Sequence, residues 1–315
     1  MNNWDTIVDS FSFENYGELL ALVSNSVIAS VALGIMGGFI SVFVMLRRMA
    51  FAVHGIAEIS FSGAAIALFF GFDVVMGSIM GAIASAMLIG WLGLRDRDTS
   101  AVTGVLMPFG LGVGILFLSL YPGRTANKFG LLTGQVVAVD QLQSTALVIA
   151  AVVVVVSLLV MWRPLLFSSV DPELAQARGV KTNTLSIVFM LLLGVTVAMS
   201  VQVVGALLVL ALVVVPAAAA LKVTANPVGV VSLSVIFAVL ASTGGLLLSL
   251  GGRVPVSPYV TTISFLIYLI CLVIGRGRRT RREHQLSQRP GNGGAEDGQL
   301  RNGALAAATL QGERV

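Results

Sequence analysis

The apolar positions of this chain fall into stretches of about twenty residues, separated by short segments that carry Arg, Asp or Pro. A helix of about twenty residues, rising about 1.5 Å per residue, crosses the roughly 30 Å hydrocarbon core of a bilayer. The stretches predict nine spanning helices, over residues 19–46, 49–71, 74–94, 101–121, 142–162, 183–204, 205–223, 228–251 and 256–274. Gly205 and Pro216 leave a broken or re-entrant helix open as the alternative for the seventh, in which case eight full spans remain.

Composition supports a lipid environment for these helices. Of the 315 residues, 57% are hydrophobic and 11% are charged, and the mean hydropathy is +0.95. A water-soluble core cannot bury so much apolar surface. The predicted fold class is therefore all-α, a polytopic integral membrane protein, because the strands of a β-barrel would be shorter and alternate in polarity. Small residues spaced by four, as in Gly77, Gly81 and Ser85 or in Gly110 and Gly114, predict close helix packing.

Basic residues flank the predicted spans unevenly, which predicts the orientation of the chain. Short loops rich in Lys and Arg stay on the cytoplasmic side. With the N-terminus outside, only Arg124, Lys128 and Arg253 of the 19 basic residues face outward. We therefore predict an extracytoplasmic N-terminus and a cytoplasmic C-terminus. Orientation also explains the net charge of +4, which gives no support for nucleic-acid binding.

The two ends of the chain differ from the membrane domain, which we place at residues 19–275. Residues 1–18 carry four carboxylates and no basic region, which argues against a cleavable signal peptide. Their four aromatic residues suit an extracytoplasmic segment at the membrane interface. Residues 276–315 are basic and then rich in Gly, Asn, Gln and Ala, which predicts a disordered cytoplasmic tail. The single cysteine, Cys271, is assigned to packing.

Ionisable side chains inside the hydrocarbon indicate function, because each costs about 2.5–3.5 kcal/mol near its centre. Deep in the predicted spans there are two, His54 and Glu58 of the second span. Their spacing of four places both on one helix face. Counted from Arg48 at the cytoplasmic edge, they lie about 9 and 15 Å deep, which places Glu58 near the midplane, where transporters hold their cargo. An imidazole and a carboxylate are suitable ligands for Zn²⁺, Mn²⁺ or Fe²⁺.

Other interpretations of these polar groups are open. The pair can instead form a His–Glu hydrogen bond that joins two helices. As metal ligands, two residues do not complete a coordination shell, which a second copy of the chain in a homodimer would extend. Asp73 and Asp140 lie at outer ends of spans, where they are expected to cap helices or to draw cations toward an entrance. Gln202 is expected to be structural.

The cytoplasmic segment 164–182 contains a short helix with well-defined ends. Asp171 is its predicted N-cap, Pro172 its first residue, and Gly179 lies just past its end. Such a helix suits docking to a soluble partner. The chain has no P-loop, because none of its lysines follows a glycine. Any ATPase of that kind is therefore another polypeptide.

Four segments together resemble the permease family of ABC importers for zinc, manganese and iron, over roughly residues 19–275. They read LRRMAFAVHGIAEISFSGAA at 46–65, LLTG at 131–134, DPELAQARGV at 171–180 and VVGALLVLALVVVPAAAA at 203–220. The resemblance implies a permease of the vitamin B12 and metal type, with metal ligands at His54 and Glu58. The family has Asp or sometimes His at the first position and His at the second. Glu58 departs from that pattern, and its harder oxygen moves the preference toward Mn²⁺ or Fe²⁺.

The resemblance also implies partners. The segment 170–180 resembles the loop that engages the nucleotide-binding subunit. The residues assigned to this contact are Asp171, Pro172, Glu173, Leu174, Ala175, Arg178 and Gly179. The resemblance further implies a homodimeric permease in membrane lipid, two ABC ATPase subunits and an extracytoplasmic metal-binding protein.

We therefore expect a permease subunit in the bacterial plasma membrane that is not itself an enzyme. It is expected to hold no permanent cofactor and to transport Zn²⁺ or, second, Mn²⁺. Three alternatives remain at this level. They are a permease for iron chelates or cobalamin, a proton-coupled secondary transporter with Glu58 as proton carrier, and a scaffold that transports nothing.

Overall fold

Helices make up the regular structure of the chain. The computed structural model describes residues 23–96, 99–122, 139–206, 209–250 and 255–287. These residues form twelve helices and no strand: α1 Ser24–Leu46, α2 Ala50–Phe70, α3 Val74–Asp96, α4 Thr99–Leu120, α5 Gln141–Val160, α6 Trp162–Val170, α7 Pro172–Ala177, α8 Thr182–Val204, α9 Val209–Val213, α10 Val215–Val223, α11 Pro227–Leu250 and α12 Val256–Ser287. Eight helices of the described part are long and apolar enough to cross a membrane. The chain is a polytopic membrane protein of the all-α class, as predicted.

The predicted seventh span is broken into two short helices, α9 and α10, which follow Gly205 with its positive φ of 92°. This segment runs along α1 in the same direction. A Cβ built on Gly37 would contact Leu212, and farther along, Val42 and Ala217 share one buried cluster. The segment therefore runs beside the second half of α1 as a broken helix, which is the alternative that the sequence left open.

Small residues allow the long helices to approach closely, as between α1 and α11. A Cβ added to Gly34 or Gly38 would lie 2.7 Å from the Cα of Val239 or Val235, respectively. The hydroxyl of Ser234 donates a hydrogen bond of 2.7 Å to the carbonyl oxygen of Gly38. Close backbone packing and interhelical hydrogen bonds of this kind stabilise helix pairs in lipid, where water supplies no driving force.

α2 packs against α3, α4, α8 and α9. Gly63 of α2 contacts Gly77 of α3, and a Cβ on Gly81 would lie 2.6 Å from the carbonyl oxygen of Ile59. On another side of α2, a Cβ on Gly110 of α4 would lie 2.8 Å from Cγ1 of Ile59. The packing role predicted for the small residues of α3 and α4 is thus confirmed.

The last helix is longer than predicted. α12 continues to Ser287, so residues 276–287 are helical and the prediction of disorder is wrong for them. The membrane-spanning part of α12 is an already nucleated helix, and arginine has a high helix propensity, so extending the helix through these residues costs little free energy. Residues up to Leu272 form one compact unit and the chain from Val273 forms a second. The described residues do not include residues 1–18, the LLTG segment at 131–134 or residues 288–315, so the expectations for these segments stay predictions.

Candidate functional site

α2 carries both ionisable residues of the predicted site. Nε2 of His54 lies 3.7 Å from Oε1 of Glu58, so the two side chains share one helix face, as their spacing predicted. The side chain of Glu58 is 2% exposed, whereas that of His54 is 23% exposed. The carboxylate is therefore enclosed in the bundle, while the imidazole reaches its surface.

Both side chains have unused hydrogen-bonding capacity. Nδ1 of His54 and Oε2 of Glu58 are buried and have no hydrogen-bond partner. The 3.7 Å between Nε2 and Oε1 also exceeds hydrogen-bond length. The pair therefore does not form the hydrogen bond between two helices that the sequence left open, because the distance is too long and both residues belong to α2. Because an unpartnered buried polar group costs about 1–3 kcal/mol, the arrangement suits a ligand that supplies the missing contacts.

The backbone of α2 is held firmly at this point by α4. Ser62 donates hydrogen bonds to the carbonyl oxygens of Glu58, at 3.1 Å, and of Gly110. A Cβ on Gly110 would lie 3.1 Å from the carbonyl carbon of Glu58. α4 therefore fixes the position of the acid along the bundle. Within the described residues, no group of three or more His, Cys, Asp or Glu gathers as a metal site.

A cavity of about 680 Å³ lies where α2 and α8 end and where α3 and α5 begin. Asp73, Asp140 and Gln202 all line this cavity, although they come from three different parts of the chain. Asp73 accepts from the N–H of Met76 and Asp140 from that of Gln143, both at 2.7 Å, so each caps a helix as predicted. The carboxylates also give the cavity a negative character that attracts cations. The His–Glu pair of α2 is not part of its lining.

α7 has the ends predicted from the sequence. Oδ1 of Asp171 accepts a hydrogen bond of 2.9 Å from the N–H of Leu174, which makes it the N-cap. Gly179 has a φ of 83° just past the helix end. The N–H of Val180 donates to the carbonyl oxygen of Ala175 at 3.0 Å, which closes a Schellman motif.

The residues assigned to a partner contact divide into two groups. Those with exposed side chains or backbone are Asp171, Pro172, Glu173, Leu174, Arg178 and Gly179. Ala175 is fully buried, so it anchors α7 to the bundle and does not reach a partner. Leu174 is 46% exposed, which leaves an apolar side chain on the surface of this short helix.

Comparison with known proteins identifies the family. The model of the ABC 3 transport family matches residues 20–275. The chain belongs to this family. The match covers every long helix described above up to the end of the ninth predicted span.

Individual members of the family extend the comparison. The chain is 24% identical to the high-affinity zinc uptake system membrane protein ZnuB of Haemophilus influenzae, covering 78% of this chain and 95% of that protein. It is 26% identical to the manganese import system permease protein ScaB of Streptococcus parasanguinis, covering 84% of this chain and 94% of that protein. Its fold matches a chain of the PsaBC structure from Streptococcus pneumoniae in complex with Fab with a TM-score of 0.73, at 23% identity, over 81% of this chain and 94% of that one.

Sequence reasoning missed one set of contacts in this ABC 3 family member. Arg47, used only to predict orientation, donates hydrogen bonds to Ser168, Ser169 and Ser186. The available signal was the pair of serines at 168 and 169, together with an arginine at the end of an apolar span. Nothing local in the sequence pairs them, because they are more than a hundred residues apart.

Proposed function

We propose that this chain is the permease subunit of an ATP-driven importer of divalent transition metal ions, with Zn²⁺ as the first candidate cargo and Mn²⁺ as the second. Membership of the ABC 3 transport family supports the transporter class. The similarity to proteins named for zinc uptake and manganese import supports the class of cargo. The observation that carries the proposal is the His54–Glu58 pair, whose carboxylate is enclosed in the bundle and which has one nitrogen and one oxygen left without partners.

His54 and Glu58 are the proposed ligands of the ion in transit. A neutral imidazole nitrogen and a carboxylate oxygen bind Zn²⁺, Mn²⁺ and Fe²⁺, and the carboxylate offsets part of the charge of a dication. The ion in turn neutralises a carboxylate that is costly to keep in the bundle alone. Two ligands are too few for a closed shell, so water or a second copy of the permease completes the coordination. Incomplete coordination also favours release, which transport requires.

Partner subunits supply the energy and deliver the ion. α7 presents Leu174, Glu173 and Arg178 on its surface, and this surface docks an ABC ATPase that is a separate polypeptide. The cavity lined by Asp73 and Asp140 receives the ion from an extracytoplasmic metal-binding protein. In this arrangement the permease is a homodimer in the bacterial plasma membrane, its N-terminus is outside and its C-terminus is cytoplasmic.

Alternating access then follows from rocking of the helices around α2. ATP-driven closure of the ATPase dimer moves α7, and the ion site is exposed first to the outer cavity and then to the cytoplasm. The permease itself orients the two ligands and excludes other routes for the ion. Glycine contacts between α2, α3 and α4 provide a tightly packed unit that moves as one body.

Uptake by cells that express the chain with its partners tests this proposal. His54→Ala and Glu58→Ala are each expected to abolish uptake of Zn²⁺ and Mn²⁺ while membrane insertion stays normal. Normal uptake in both variants would remove the site assignment. Competition by a ferric chelate or cobalamin, but not by free Zn²⁺ or Mn²⁺, would instead indicate a chelate permease. Uptake that follows a proton gradient without any bound ATPase would indicate a secondary transporter.

A further inference from the structure

Arg47 lies in the short turn between α1 and α2 and ties this turn to two other elements. Its Nε, Nη2 and Nη1 donate to the hydroxyls of Ser169, Ser168 and Ser186 at 3.0, 2.9 and 3.1 Å. The guanidinium also lies 5.1 Å from the centre of the Phe189 ring. Two of the serines end α6, whereas Ser186 and Phe189 belong to α8. One side chain thus joins three elements.

The serines of α6 are oriented to accept these hydrogen bonds. The hydroxyls of Ser168 and Ser169 donate to the carbonyl oxygen of Leu165 at 3.1 and 2.6 Å, which leaves their lone pairs for the guanidinium. Among the described residues, no carboxylate lies within ion-pair distance of Arg47. Burial lowers the pKa of Arg47 to about 10, so the group stays protonated at neutral pH and its hydrogen bonds are charge-assisted.

The serine pair connects directly to the proposed docking helix. Only Asp171 separates the end of α6 at Val170 from the start of α7. The side chain of Asp171 is committed to the N-cap of α7, so the junction is well ordered. A force on α7 therefore displaces Ser168 and Ser169 first.

On its other side, Arg47 is joined to the helix of the ligand pair by a stiff turn. The N–H of Met49 donates to the carbonyl oxygen of Val44 at 2.9 Å. Arg48 has a φ of 56°, a conformation that L-residues adopt only when surrounding contacts impose it. α2 begins immediately afterwards, and His54 follows Arg47 by about 10 Å along the helix axis. Displacement of Arg47 therefore moves the start of α2.

We infer that Arg47 is the positioning residue through which movement of the α6–α7 segment reaches α2 and its ligand pair. This inference rests on the proposed function. A purely structural role for Arg47 would affect folding or assembly. A coupling role instead sets how many ions move for each ATP hydrolysed, which is a separate quantity.

The test uses the permease in complex with its co-purifying ATPase, in liposomes, with Zn²⁺ alone as the probe. Uptake and ATP hydrolysis are measured in the same vesicles, and the readout is their ratio. Arg47→Gln removes the charge and most donors, and Ser168→Ala with Ser169→Ala removes two acceptors but keeps the arginine. Arg48→Gln is the matched control, since Arg48 is the exposed neighbour in the same turn.

We expect the ratio to fall at least about fivefold for Arg47→Gln, the scale of a typical coupling free energy. For the double serine variant we expect a fall of about twofold or more. Arg48→Gln keeps the wild-type ratio. If Arg47→Gln does not assemble, the serine variant decides. An unchanged ratio, including a parallel loss of uptake and hydrolysis, would overturn the inference.

A second readout needs no metal. Cys271 is the single cysteine, so Cys271→Ser with Phe51→Cys places one thiol at the start of α2, where Phe51 is 56% exposed. ATP with vanadate is expected to change the labelling rate of this thiol when Arg47 is present and not in Arg47→Gln. Equal responses would overturn the inference. If the labelling rate responds only when Arg47 is present and the vesicles take up no Zn²⁺, the inference about Arg47 holds and the proposed function fails.

Discussion

Gly110 of α4 lies directly behind Glu58 of α2, so close that a Cβ on the glycine would fall 3.1 Å from the carbonyl carbon of the acid. The contact is between backbones, which cannot swing aside as a side chain would. The acid is therefore placed by helix packing and not by hydrogen bonds to its carboxylate. Predictions about both stability and transport follow from this contact.

Gly110→Ala is expected to destabilise the protein by about 1–3 kcal/mol, because α2 and α4 must separate to admit the methyl group. Gly104→Ala, also in α4, is the matched control. A Cβ there meets nothing within 4 Å, so we expect no loss and a gain of up to about 1 kcal/mol from helix propensity. Thermal unfolding of the two purified variants measures the difference. Equal stability would mean that the two helices are not packed as described.

The choice between metals is expected to depend on Glu58. Glu58→His replaces a hard carboxylate oxygen by a softer imidazole nitrogen. Zn²⁺ should then gain over Mn²⁺, because imidazole favours zinc and carboxylate favours manganese. Metal analysis of the purified permease after exposure to equal concentrations of both ions measures the ratio. A ratio identical to that of the wild type would argue against Glu58 as a ligand.

Leu174 is expected to be the apolar contact of α7 with the ATPase. Leu174→Ala should weaken ATPase co-purification at least about tenfold, as for a residue central to an interface. Leu240→Ala is the control, since Leu240 on α11 is similarly exposed, at 55% against 46% for Leu174. Retention of the ATPase by both variants would move the docking surface away from α7.

The carboxylates of the outer cavity are expected to accelerate capture of the ion. Asn caps a helix as well as Asp does, so Asp73→Asn with Asp140→Asn removes charge while the helix ends stay intact. Uptake should show a KM several-fold higher and an unchanged maximal rate, and the difference should shrink at high salt. A change that is independent of salt would mean that the effect is structural.

Local features of the sequence were sufficient for much of this account. Hydropathy placed the long helices to within a few residues, apart from the end of α12, because lipid requires about twenty apolar residues per span. The caps of α7 were predicted because Asp171 and Gly179 act on their own neighbouring backbone. The His54–Glu58 pair was found because few groups in the spans are charged. Gly205 indicated that the seventh span could be broken, but the sequence did not predict where its two short helices begin and end.

Contacts between segments that are distant in the chain could not be predicted from the sequence. Arg47 meets Ser186 across 139 residues, and no local pattern pairs them. A membrane helix can be apolar on every side, so periodicity does not reveal which face meets a neighbour and which meets lipid. For the same reason the sequence placed Asp73 and Asp140 at outer ends of spans without showing that they line one cavity with Gln202.

Metal binding by the purified permease tests the central claim most directly. Equilibrium binding of Zn²⁺ is compared for the wild type, His54→Gln, Glu58→Gln and Ser60→Ala. The last variant is the control, because Ser60 is a buried α2 residue that bonds to Ser78 of α3 and not to the pair. We predict that both ligand variants lose at least about tenfold in affinity, because loss of even a residue that orients a metal ligand costs about 10–100-fold, while Ser60→Ala binds as the wild type does. Wild-type affinity in Glu58→Gln would contradict the account.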